Sequence, residues 1–182
     1  IVIILLLSSK SVFFHTINFA LISSLIYSIG YCLLTAFSEE VLFRGYIQGL
    51  AKYHCNYKVG IIFSTIFFVS MHGLNSGINI FAYLQLFLGG IFLGLLREKT
   101  NGLWFGIGFH FLWNFVQAGI FSFSICGQKI ISILSVNFVK NNFLTGGNYG
   151  PEASIITSIV LIFGLSILVI KYSKINPDKL ED

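Results

Sequence analysis

The chain has 182 residues, 55% hydrophobic, 16% aromatic and only 10% charged, with a mean hydropathy of +0.86, where an average soluble domain carries about 25% charged residues. That composition excludes an ordinary soluble globular domain and points to an integral membrane protein whose apolar helices fill nearly the whole length. The formal charge of +4 implies no nucleic-acid partner, because the basic residues are scattered over loop positions without an aromatic-interleaved patch.

The chain opens Ile1-Val2-Ile3-Ile4 and its one methionine is Met71, so an upstream portion, and with it further N-terminal helices, is expected. Ile1 to Leu7 is too short to span and lacks the flanks of a signal peptide. Apolar segments follow at about 12–37, 59–72, 78–96, 102–124 and 154–171, with a shorter amphipathic helix at about 38–50. That short piece is either a half-helix or the continuation of the helix before it. Runs such as Ile155 to Ile170 are apolar on every face, which excludes a transmembrane barrel with its period-two alternation. The fold class expected is therefore all-α: one domain over residues 1–182, a polytopic transmembrane helical bundle with its active site within the membrane.

Taking each segment after residue 58 as one crossing puts Lys52, Lys58, Arg97, Lys99, Lys171, Lys174 and Lys179 on one side and Lys129 and Lys140 on the other. The excess marks the cytoplasmic side, with the C-terminus on it. A multi-pass protein of a bacterial plasma membrane is the localisation expected, with membrane lipid as its surroundings. Small residues spaced by four at Gly45/Gly49, Gly90/Gly94 and Gly102/Gly106 predict close helix packing within the chain. Cys32, Cys55 and Cys126 have neither zinc-site nor disulfide spacing and read as small apolar filler. His15, Asn18 and His54 read as interfacial or solvated.

Against this background the polar residues inside the apolar segments need a reason, since an ionisable group at bilayer depth costs about 2.5–3.5 kcal/mol or more. In Phe37-Ser38-Glu39-Glu40-Val41-Leu42-Phe43-Arg44-Gly45, Ser38 reads as a helix N-cap with acids in the first turn. Glu40 and Arg44 are spaced i, i+4 and can pair on one face. Glu39, rotated by about 100° from Glu40, is left for a different neighbour. His72 ends an apolar helix with Phe68 one turn earlier on its face, and His110 has Asn114 one turn later on its own. A free carboxylate and two intramembrane histidines, one backed by an asparagine, are the parts of a hydrolytic site.

The ordered set Glu39-Glu40-x-x-x-Arg44, Phe68-x-x-x-His72 and His110-x-x-x-Asn114 resembles the three motifs of the CPBP intramembrane protease family, the CAAX prenyl proteases and bacteriocin-processing or Abi proteins. The resemblance covers about residues 35–120. The loop Gly146-Gly147-Asn148-Tyr149-Gly150-Pro151-Glu152 also resembles one in bacterial members. The resemblance implies an intramembrane endopeptidase with Glu39 as general base on a water, His72 holding and polarising that water, and His110 and Asn114 donating to the oxyanion. Glu40 and Arg44 would brace the site.

Glu39, His72 and His110 also supply the His₂Glu ligand set of a catalytic zinc site, so the cofactor stays open, with no obligatory metal preferred. Other protease chemistries are absent: there is no HExxH, the aspartates are only Asp178 and Asp182, and Gly73-Leu74-Asn75-Ser76-Gly77 has the wrong glycine placement for GxSxG. The substrate expected is a membrane-associated peptide or protein; an abundance of Ile, Phe, Asn and Lys favours a bacterial peptide or bacteriocin-related role over a prenylated protein. The alternative is a non-proteolytic bacteriocin-immunity or scaffold protein on the same fold. A small proton-coupled carrier ranks below both, for want of an internal repeat.

Overall fold

Three asparagines set where helices begin in the computed structural model, which describes residues 9–75, 77–125, 130, 132–138, 144–146 and 149–172. Asn18 Oδ1 accepts from the Leu21 amide at 2.8 Å and opens α1 (Phe19–Glu39). Asn56 caps Val59 at 3.0 Å at the head of α3 (Tyr57–His72). Asn79 caps Ala82 at 3.0 Å at the head of α4 (Ile80–Thr100). Each side chain satisfies a first-turn amide that has no carbonyl partner. Asn101 ends α4 in the left-handed conformation, φ 49°, which asparagine tolerates better than most residues.

Between α1 and α3 the chain does not break. Glu40–Ile47 is a π-helix and Gln48–His54 is α2, so Phe19–His54 is a continuous helix of 36 residues. The 38–50 segment is thus the continuation of the helix before it. Ser38 is not an N-cap: it lies mid-helix and its hydroxyl donates to the Thr35 carbonyl at 3.1 Å. After α4 come α5 (Trp104–Phe115), a π turn at Val116–Ile120, a 3-10 turn at Pro151–Ala153 and α6 (Ile155–Tyr172). Two of these helices are long and apolar enough to cross a membrane, Phe19–His54 and Ile80–Thr100; Tyr57–His72 and Ile155–Lys171 are apolar but shorter.

The described residues are mostly helical, as the composition requires, but not purely so. Ser9–Phe14 (β1) pairs antiparallel with Leu134–Phe138 (β2), Val12 opposite Val136. The helix expected from residue 12 therefore starts at Phe19. Leu134-Ser135-Val136-Asn137-Phe138 alternates with period two, a strand signal that a hydropathy window averages away. The run 1–7, Ser76, Cys126, Gly147, Asn148, Lys129, Lys140, Lys174, Lys179 and both aspartates lie outside the described residues.

The glycine pair Gly90/Gly94 does pack within the chain. A Cβ on Gly90 would sit 2.7 Å from Thr65 Cγ2, and one on Gly94 would sit 3.1 Å from both Ile61 Cγ2 and Gln48 Oε1. These two glycines let α4 lie directly on α3 and on the start of α2. Gly90→Val is therefore expected to lower the melting temperature in detergent sharply, as overpacking costs about 1–3 kcal/mol. Gly30→Ala, where a Cβ meets nothing within 4 Å, is expected to leave it unchanged or slightly raised. Equal melting of the two variants would contradict this packing.

Candidate active site

Arg44 and Glu40 form an ion pair, Nη1 to Oε1 at 3.0 Å, with both side chains all but fully buried. Burying two charges costs several kcal/mol per ion unless further polar contacts surround them, and here they do. Arg44 Nη2 donates to the Gly90 carbonyl at 3.4 Å, and its guanidinium lies 4.4 Å from the centre of the Phe68 ring. Glu40 Oε1 also accepts from His110 Nδ1 at 3.0 Å. The carboxylate fits because residue 106 is glycine: a Cβ there would come within 3.3 Å of Glu40 Oε2.

Phe68 is the shared floor of this arrangement. Its ring meets Phe43 edge-on at 5.3 Å and the His72 imidazole at 4.5 Å. Its backbone carbonyl accepts from His72 Nδ1 at 2.8 Å, the i, i+4 relation that the motif spacing encodes. A carbonyl and an ion-paired carboxylate can only accept, so each histidine carries its proton on Nδ1 and turns Nε2 towards the cavity.

Both Nε2 atoms face Glu39. His72 Nε2 lies 3.9 Å from Glu39 Oε1 and His110 Nε2 lies 3.8 Å from Glu39 Oε2. Glu39 keeps 22% of its side chain exposed, against 11% for His72 and 10% for His110, and its buried Oε2 has no hydrogen-bond partner among the described residues. Sequence spacing placed Glu40 with Arg44 and left Glu39 for another neighbour, and the geometry divides the two acids in that way. Asn114, on the next turn of α5 from His110, is buried and lines the same cavity of ≈ 330 Å³ as Glu39, His72 and His110. All four expected site residues therefore meet in one cavity, braced by Glu40, Arg44 and Phe68.

The gaps decide what this trio can hold. Atoms 3.8–3.9 Å apart are too far for a direct hydrogen bond, yet both can reach one water at about 2.8 Å. Two ligands about 2.0–2.1 Å from a tetrahedral zinc would stand only about 3.3–3.4 Å apart. The donor types, a carboxylate and two imidazoles held through Nδ1, suit zinc, but their spacing is about half an ångström too wide. Among the described residues no group of three or more His, Cys, Asp or Glu side chains is arranged to hold a metal ion.

Two features were not anticipated from sequence. Gln48 Nε2 donates to the Gly94 carbonyl at 3.0 Å and to Glu98 Oε1 at 2.9 Å, and Lys52 Nζ donates to Glu98 Oε2 at 2.9 Å. Arg97 pairs with the same carboxylate. The signal was present: Glu40, Arg44, Gln48 and Lys52 are spaced by four, and so are their partners Gly90, Gly94 and Glu98 on α4. The second feature is Glu152, buried beside the cavity, whose Oε1 accepts from Trp113 Nε1 at 3.1 Å.

A family model described as type II CAAX prenyl endopeptidase Rce1-like matches residues 11–116. The matched stretch holds every motif residue from Glu39 to Asn114 and ends before Glu152. No curated protein and no solved structure matches the chain.

Gln48 and Lys52 converge on the one carboxylate of Glu98. Gln48→Leu leaves the buried Glu98 carboxylate short of a donor and is expected to cost about 1–3 kcal/mol of stability. Combining it with Glu98→Leu is expected to cost less than the sum of the two, by at least about 1 kcal/mol in a double-mutant cycle on thermal unfolding. Strict additivity would show that the two side chains do not act as one unit.

Proposed function

The chain belongs to the Rce1-like family of type II CAAX prenyl endopeptidases, and on that premise we propose that it is an intramembrane endopeptidase cutting membrane-associated peptides or proteins with a water activated by Glu39. The observation that carries the reading is the water-sized gap between Glu39 and the Nε2 atoms of His72 and His110. A water there directs one O–H to the Glu39 carboxylate and the other to the His72 Nε2 lone pair, both as hydrogen bonds. Its own lone pair is then directed at the cavity, where the substrate carbonyl would lie.

Attack moves the water proton onto Glu39 and creates an oxyanion. Asn114 can donate its side-chain N–H to that oxygen in any protonation state. His110 can do so through Nε2 only as an imidazolium. Stabilising charge that develops in the transition state is commonly the largest single catalytic effect. Glu39 then returns its proton to the departing amine nitrogen as the peptide C–N bond breaks.

A bilayer setting is supported by the outward residues. Phe19, Ile26, Leu34, Ile62, Trp104 and Phe163 are all exposed large hydrophobics, a surface that water does not favour and lipid does. We read the protein as a multi-pass bundle with the cavity at membrane depth, in a bacterial plasma membrane, acting on a peptide or bacteriocin-related substrate.

Purified protein in lipid nanodiscs is expected to cleave a membrane-anchored reporter peptide. Glu39→Ala and His72→Ala are each expected to lower the rate at least about 10²-fold, the usual scale for losing general acid–base help, without a change in melting temperature. A Glu39→Ala protein that still cleaves would overturn the assignment, and one that never cleaved yet still protected cells from a bacteriocin would favour an immunity role. With no obligatory metal, prolonged dialysis against a chelator is expected to leave the wild-type rate intact; complete loss restored by zinc would contradict the metal-free mechanism.

A further inference from the structure

Two residues one turn apart on α4 each carry a cost that helix packing does not explain. Gln85 is 6% exposed and stands beside Leu86 in the wall of the catalytic cavity. Its Oε1 is buried with no hydrogen-bond partner among the described residues. A buried amide oxygen left without a donor lowers stability, which an apolar side chain of the same length would not do.

Gly89, half-buried, lines the same cavity. Gly90 and Gly94 clear space for a neighbouring helix, but a Cβ on Gly89 would meet Gln85 Nε2 at 3.8 Å and no other side chain within 4 Å among the described residues. Glycine inside a helix is unfavourable unless something must come close to its backbone. The two positions therefore make one notch in the cavity wall, bare backbone at Gly89 bordered by the carboxamide of Gln85.

The chemistry of the carboxamide selects what fits there. It presents N–H donors and a carbonyl acceptor side by side. A carboxylate could only accept from it, and an ammonium could only donate to it. A second amide does both at once, its N–H to Oε1 and its C=O from Nε2. A main-chain peptide unit is such an amide, and it is flat enough to lie against a glycine.

We propose that Gln85 pairs with a main-chain peptide unit of the substrate lying against Gly89, and so sets the register in which the scissile bond meets Glu39. The proposal rests on the peptidase reading of the same cavity and deepens it, because recognition at this point goes through the substrate backbone rather than through a side chain. Gln85 holds the chain while Glu39 and His72 act on the bond.

The test separates binding from cleavage by using Glu39→Ala protein in phosphatidylglycerol nanodiscs. In a fluorescent, palmitoylated Ala/Leu decapeptide each peptide N–H is replaced in turn by an ester oxygen, and affinities are read by anisotropy. At one backbone position the ester is expected to bind at least about fivefold more weakly than the all-amide peptide, and that difference is expected to fall below about twofold when Gln85→Met is added. Gly89→Ala is expected to melt at or slightly above its parent, since alanine favours a helix, yet to bind the all-amide peptide at least about fivefold more weakly. This variant reports on the notch should Gln85→Met fail to fold. A flat ester scan, a sensitive position that stays sensitive in Gln85→Met, or a Gly89→Ala protein that binds as tightly as its parent each overturns the proposal. A flat scan joined to tighter binding of a peptide carrying one glutamine would assign Gln85 to a substrate side chain instead. No step of this test requires cleavage, so a peptide that the wild type cuts but whose ester scan is flat sinks the notch alone, and one that binds in this pattern but is never cut sinks the peptidase reading alone.

Discussion

The buried ion pair between Glu40 and Arg44 fixes most of what surrounds it. Neither charge would tolerate this burial alone, since removing one partner of such a pair commonly costs about 3–5 kcal/mol. The protein compensates with a carbonyl, a ring and an imidazole contributed by α4, α3 and α5. Three helices are thereby brought to one point on the long helix, and the glycines at 90 and 106 are the clearances that let them come so close. Below this point the same helix face continues through Gln48 and Lys52 onto Glu98. The long helix and α4 are joined by a polar seam through an otherwise apolar protein.

That seam also explains the division of labour between adjacent acids. Glu40 is taken up by Arg44 and His110, and the backbone then turns Glu39 towards the cavity, where its neighbours are Nε2 atoms rather than a cation. Each histidine is locked by its other nitrogen, one to a carbonyl and one to Glu40. On the proposed mechanism, the ring orientations that the chemistry needs are thus set by the Phe68 carbonyl and Glu40 behind the histidines. On the same proposal Phe68 and Arg44 are positioning residues, and both lie within the family match over residues 11–116.

The pairing of Glu40 with Arg44 and the gathering of His72, His110 and Asn114 were legible because helical spacing and apolar surroundings make such residues conspicuous. The seam at Gln48, Lys52 and Glu98 carried the same four-residue spacing, but Lys52 and Glu98 fall in the polar breaks between apolar segments, where helical spacing was not looked for. The π-helix at Glu40–Ile47 left no sequence mark, since no residue type demands it, though such turns often accompany functional sites. The β1–β2 pairing joins residues more than a hundred positions apart, and no local pattern in a hydropathy profile reports a partner that distant. Glu152 was visible as a residue but not as a wall of the cavity, because that depends on how the turn at Pro151 packs on α4.

The central claim is that two adjacent glutamates do separate work, one in stability and one in chemistry. Isosteric Glu39→Gln and Glu40→Gln proteins, each assayed for both melting temperature and peptide cleavage, test it most directly. Glu39→Gln is expected to melt with the wild type and cleave nothing, while Glu40→Gln, leaving Arg44 buried without its counter-charge, is expected to melt several degrees lower, in line with about 3–5 kcal/mol lost. The reverse pattern, a destabilised Glu39→Gln or a Glu40→Gln of unchanged stability, would contradict the account.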